Sequence, residues 1–375
     1  MSTRLNSSKF ISEVQSLVNW TVPIADNSSI DTGLVAWNKM KVMLDEATTA
    51  SSVFTNHIVS TYTVVYTTLS AYWGGVLAPN GDIHFVPYTA NRGQKVSSAG
   101  VVSTYSLIYT TPIAYLGGVL APNGDIHFFP RTANRGQKID GSGVVSTYSL
   151  AVTGSQSYYG GVLSSNGDIY FVPYLANRGQ KINSSGVVST YSLVYTINLA
   201  YAGGVLAPNG DIHFVPYSAT VGQKINSSGT VSTYSLVYTA TGSYSGGILA
   251  PNGDIYFVPY NAAVGQKINV NGVVSTYSLV YTAPGAYAGG VLTANGDIHF
   301  TSFQARAIGQ KVNSSGIVST YSLINTGLNQ YGGAVLDMNG DVNFIPYNSN
   351  RAQKISVLAG FDFKNIALSP FFNKY

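Results

Sequence analysis

One segment of this chain returns seven times. The unit YxGGVLAPNGDIHFVPYxANxGQKINSSGVVSTYSLVYT places its first glycine at Gly74, Gly117, Gly160, Gly203, Gly246, Gly289 and Gly333, a period of 43 residues stretched once to 44. A chain that repeats in this way cannot build one irregular core. It must stack similar units, each burying its apolar faces against its neighbours. Within the unit, Gly74 to Leu77 is a short apolar run closed by the hairpin signal Pro79-Asn80-Gly81. Asp82 to Val86 resumes as a strand and stops at Pro87; Gly93 to Val96 is a third strand, and Val101 to Tyr109 a fourth. Four short antiparallel strands at a period of 40 to 50 residues form one blade of a β-propeller. The fold class expected is therefore all-β, a seven-bladed β-propeller of four-stranded antiparallel blades.

Closure follows from a count. The VSTY element starts at Val59, Val102, Val145, Val188, Val231, Val274 and Val318. The GGVL…GQK element also occurs seven times, but the chain meets VSTY first and GQK last. The last blade thus lacks its outer strand, while Val59 to Tyr66 is left over at the other end. Pairing the two closes the ring and leaves no raw edge at the seam.

Composition narrows the class. Only 9% of residues are charged and the net charge is +4, too little to suggest a nucleic-acid surface. The 28 Tyr and 15 Phe are those of a folded chain, and the absence of cysteine removes disulfides and thiolate chemistry. No apolar run reaches membrane-spanning length and no ordinary secretory signal is evident, so no membrane partner is expected. Residues 1–55 differ in kind: Ser8 to Trp20 and Gly33 to Ala47 read as two short amphipathic helices. The expected division is a helical docking segment at 1–55 and the propeller at 56–375.

The run Asn80 to Lys95 (NGDIHFVPYTANRGQK) resembles the NHL repeat, with its glycine turn, its central strand and an NRxQ-like start to the third. The resemblance covers about 300 residues and implies a platform that binds protein or RNA rather than a reaction. The low charge, the Asn/Ser/Thr/Tyr-rich repeats and the helical head also resemble propeller-type virion proteins of tailed phages.

Most ionisable residues fall into sevenfold sets, and these read as structural. Asp82, Asp125, Asp168, Asp211, Asp254, Asp297 and Asp341 each follow a turn, where a carboxylate can take turn amides. Lys95, Lys138, Lys181, Lys224, Lys267, Lys311 and Lys354 open the third strands. His84, His127, His213 and His299 share one position that is Tyr170, Tyr256 and Asn343 elsewhere. A metal ring would not tolerate those replacements, so no metal and no cofactor are expected. An active site needs an asymmetric constellation, and the repeats hold no glutamate and no triad spacing.

The connections on the side away from the Asn-Gly turns vary between repeats. Arg92, Arg135, Arg178 and Arg351 recur there at equivalent positions, with Arg131 nearby. This arc suits an acidic glycan or an acidic protein surface, because a guanidinium presents a planar fork to oxyanions. The resulting expectation is a non-enzymatic structural or adhesive virion component, oligomeric in an assembly. Its head would contact other virion proteins, its variable face a host-surface glycan. The alternatives are a cytoplasmic NHL-like scaffold for protein or RNA, and a glycan-acting enzyme.

Overall fold

The structure is a computed structural model, and it describes residues 57–357 apart from residue 306. The helical head, the proposed boundary at 55/56 and the tail after 357 lie outside the described residues. Within them, 28 strands form seven four-stranded antiparallel sheets, and no helix is present among the described residues. The propeller expectation holds in full.

The first blade is typical. Its strands are Tyr72–Leu77, Ile83–Pro87, Arg92–Val96 and Val102–Ser106, paired in chain order. The Asn-Gly hairpin forms because Gly81 takes φ +84° while the Asn80 Oδ1 accepts the Asp82 amide at 3.0 Å. The innermost strand carries a register shift between Tyr72 and Gly75, with Gly74 at φ +76°. A Cβ on Gly118 of the second blade would come within 2.9 Å of Val76 in the first, so glycine lets the inner strands converge.

The second strand is buried along its whole length, Ile83 to Pro87, because both of its faces meet neighbouring sheets. Core clusters accordingly lie between blades. Val76 and Val86 of the first blade pack with Tyr115, Ile126 and Phe128 of the second. Within each blade the inner-strand tyrosine packs against the second-strand phenylalanine, edge-on for Tyr72 and Phe85 at 5.5 Å and tilted for pairs such as Tyr115 and Phe128 at 5.8 Å.

Blades are also tied by a group that sequence patterning passes over. Gln94, in the third strand, is 0% exposed. Its Oε1 accepts the backbone amides of Val65 and Tyr66, at 3.0 and 2.7 Å, from the outer strand's exit in the preceding blade. The same clamp recurs at Gln137, Gln180, Gln223, Gln266, Gln310 and Gln353. The glutamine of the GQK motif is the joint between blades.

The ring closes as the strand count requires. His57–Thr63 pairs antiparallel with Arg351–Val357, from His57 opposite Val357 to Thr63 opposite Arg351. The seventh blade is thereby built from both ends of the described chain, in the order His57–Thr63, Arg351–Val357, Asp341–Pro346, Tyr331–Leu336.

Candidate functional site

At the Asn-Gly end of the strands the charges cancel. Lys95 Nζ lies 2.6 Å from Asp82 Oδ2, and the pairing repeats at Lys138–Asp125, Lys181–Asp168, Lys224–Asp211, Lys267–Asp254 and Lys311–Asp297. In the seventh blade Lys354 pairs with Asp341 and stands 4.0 Å from Asp337. The two sevenfold sets are one set of ion pairs, and in six blades the turn amide is taken by the asparagine rather than by the aspartate that follows it. Burial raises the Asp82 carboxyl, but the hydrogen bond and charge of Lys95 outweigh it and hold the group below its usual range.

The histidines are buried beside these pairs. His84 Nδ1 lies 3.3 Å from the Tyr105 hydroxyl, and His127 stands likewise to Tyr148. Burial first, then the charge of the adjacent lysine, pushes His84, His127 and His213 down to about 4. They are neutral fillers at neutral pH. Among the described residues no group of three His, Cys, Asp or Glu is placed to hold a metal ion. A groove of about 490 Å³ opens at the seam between the seventh and first blades, lined by Tyr62, Asp337, Asn343 and Lys354 among others. There Asp337 is already satisfied by the amides of Asn339 and Asp341 and by the Asn343 side chain.

The opposite end of the strands is built differently. The residue that follows each second strand is Tyr88, Arg131, Tyr174, Tyr217, Tyr260, Phe303 or Tyr347. These seven side chains form a closed circuit. Ring centroids lie 5.6 Å apart for Tyr174–Tyr217, 6.0 Å for Tyr217–Tyr260, 6.3 Å for Tyr260–Phe303, 5.7 Å for Phe303–Tyr347 and 5.6 Å for Tyr347–Tyr88. The Arg131 guanidinium completes it, 5.8 Å from the Tyr88 ring and 5.9 Å from that of Tyr174. Seven blades thus present a collar of six aromatics and one cation around a single mouth.

Backbone bonds hold the collar in place. The carbonyl of Tyr88 accepts the amide of Ala114 in the next blade, that of Tyr174 the amide of Ala200, and that of Tyr347 the amide of Ala71. The residue before each of these alanines has positive φ, including Ile113 at 61° and Leu199 at 59°. A β-branched residue in that region is strained, and the connection feeding the collar holds it there.

Inside the collar, the second residue of the inner strand varies widely: Trp73, Leu116, Tyr159, Ala202, Ser245, Ala288 and Gly332. Trp73 touches Tyr88, Phe303 and Tyr347, with centroids at 5.8, 5.3 and 5.1 Å. It leans into the space left by Gly332, where a Cβ would come within 3.1 Å of the indole. Tyr159 lies 5.2 Å from Tyr174 and under the Arg131 guanidinium at 5.5 Å. Burial pushes the Tyr174 hydroxyl up to about 12. Trp73, Tyr88, Tyr159, Tyr217, Tyr260 and Tyr347 all remain half-buried, so the mouth is not sealed.

The five arginines of the sequence reading divide. Arg92, Arg135, Arg178 and Arg351 begin the third strands, on the collar's side, and are exposed. Arg131 is not a member of their ring of positions; it is half-buried in the collar itself. The aromatic collar escaped sequence reading. Its signal was the residue after each second-strand proline or its equivalent, aromatic in six repeats and arginine in one.

No protein-family model matches the chain, and no curated protein matches it. Solved structures do. A streptogramin B lyase superposes with a TM-score of 0.70 at 21% identity, over 80% of this chain and 98% of that one. A catalytically inactive histidine-to-alanine variant of the virginiamycin B lyase from Staphylococcus aureus, with quinupristin, gives 0.70 at 18% identity, over 80% and 99%. The WD40 propeller domain of Doa1 gives 0.62 at 11%, over 80% and 97%. The likeness shows the fold. It also overturns the expectation of a non-enzymatic virion component, since the scaffold matched at the higher score is that of lyases. The premise that repetition excludes an active site fails for a physical reason. A ring of equivalent positions becomes asymmetric as soon as one of them differs, as Arg131 does. Nothing in these three structures is specific to NHL repeats or to phages.

Proposed function

We propose that this propeller takes up a small organic molecule in the aromatic mouth, on the scaffold it shares with the streptogramin B lyases. The observation that carries this reading is the closed circuit of seven side chains around Trp73, five of them half-buried and two, Tyr174 and Phe303, buried. Pockets for small molecules are concave and mostly aromatic or apolar, with a few polar groups that fix orientation. The collar has that composition, and the Asn-Gly end has not: its polar groups are spent on one another. The exposed Arg92, Arg135, Arg178 and Arg351 lie on the collar's side and add positive potential that draws anions toward the mouth.

A crystallographic soak with small aromatic fragments tests this directly. The expected result is ligand density against Trp73 and Tyr88, abolished in Trp73→Ala. Density only elsewhere, or none, would overturn the reading. Incubation with quinupristin followed by mass spectrometry asks about chemistry: a new product mass that disappears in Trp73→Ala would make the mouth an active site.

A further inference from the structure

We infer that Arg131 makes the mouth a receptor for a carboxylate joined to a planar apolar body. The inference rests on the mouth being a ligand site and adds the class of ligand. Arg131 occupies a position that is aromatic in the other six blades, so it is the collar's one ionic group. Its guanidinium is packed among Tyr88, Tyr159 and Tyr174, at 5.8, 5.5 and 5.9 Å from their ring centroids. Such contacts offset part of the cost of drawing a cation out of water. They supply no hydrogen-bond acceptor in the guanidinium plane.

Among the described residues the side chain makes one such bond: Arg131 Nη2 donates to Gln156 Oε1 at 3.0 Å. Its Nε–H is buried and has no partner among them. No ion pair of Arg131 occurs among the described residues, and every described carboxylate lies at the other end of the strands, in or beside a turn. Gln156 fixes the group further: its own amide donates to the Arg131 carbonyl at 2.5 Å, from a backbone held at φ 54°. A preorganised, desolvated cation with an unused donor is matched by a planar oxyanion, which accepts in the guanidinium plane. The half-buried Trp73 and Tyr88 beside it offer faces and edges to an apolar body.

Isothermal titration of the full chain with naphthalene-2-carboxylate and its near-isosteric carboxamide tests the inference, with 2-naphthyl phosphate as a third probe. The carboxylate should bind at least tenfold more tightly than the carboxamide. Arg131→Tyr should bring that ratio to about one while keeping carboxamide affinity; the fold tolerates tyrosine, which five other blades carry at this position. Arg131→Lys should keep part of the preference, and Trp73→Ala should weaken both probes alike. A preference that survives in Arg131→Tyr would overturn the inference, as would tighter binding of the phosphate. Equal binding of both naphthalene probes that is still lost in Trp73→Ala would overturn the inference and leave the ligand-site reading standing. Absence of binding by all three probes, with no quinupristin or fragment bound, would overturn both.

Discussion

The two ends of the same strands solve opposite problems. At the Asn-Gly end, each lysine meets its own aspartate thirteen or fourteen residues earlier, and the pattern is repeated in every blade. At the collar end, aromatic rings meet across blades and one cation, Arg131, is enclosed by those rings with no carboxylate partner among the described residues. Repetition neutralises what it duplicates. Binding character enters where one repeat departs from the rest, and the departure is cheap there because collar residues bond to the next blade through backbone carbonyls that any side chain keeps, whereas the buried glutamine side chains are the joints of the ring.

The comparison breaks most forcefully at those joints. Gln223→Leu should be the most damaging of the changes considered. It removes the acceptor for the amides of Val194 and Tyr195 and leaves two donors unpaired between blades. A loss of about 2–5 kcal/mol is expected by chemical denaturation; a loss within error would remove the glutamine clamp from the account.

Acid should come next. His84, His127 and His213 titrate near 4 in the fold but near their ordinary value when unfolded. The unfolded chain therefore binds more protons, and stability falls as pH drops from about 6.5 through 4, levelling off below. The lowered Asp82 carboxyl acts in the same direction at the acid end. Melting temperature against pH should show this loss, and replacing the three histidines together by tyrosine, as Tyr170 and Tyr256 do naturally, should flatten it above pH 4.

Lys224→Met should cost less, about 1–2 kcal/mol, because Asp211 loses its partner but the pair is partly open to solvent. Raising the salt concentration should narrow the difference between wild type and variant; a gap that widens with salt would mean the ion pair is not its source. Arg131→Tyr is the smallest of the series. Its thermal midpoint should stay within a few degrees of wild type, since it restores the majority residue of the collar. A large drop would mean Arg131 is structural, and would join the two ends into one class.

Much of this was legible in the repeat. Gly74 and its equivalents, the Asn80-Gly81 turn and the surplus Val59 strand are local signals or counts, and each survives into the fold. The lysine and aspartate rings were legible as rings but not as partners. Lys95 lies on the third strand and Asp82 just before the second, and only the register that puts His84 opposite Lys95 brings them together. Gln94 was visible in GQK without a role, because its acceptor serves amides of the preceding blade.

What the sequence determined by itself is periodic: seven units, four strands each, and closure by the strand that has no partner of its own. Periodicity dictates these because short-range turn chemistry and strand alternation are properties of neighbouring residues. Tertiary structure alone decided that residues 43 or 44 apart, beginning with Tyr88 and ending with Tyr347, become contacts around one mouth. It also decided that Arg131, one arginine among several in the sequence, is the one enclosed by rings. Ring closure sets both, because it turns equal spacing along the chain into adjacency in space.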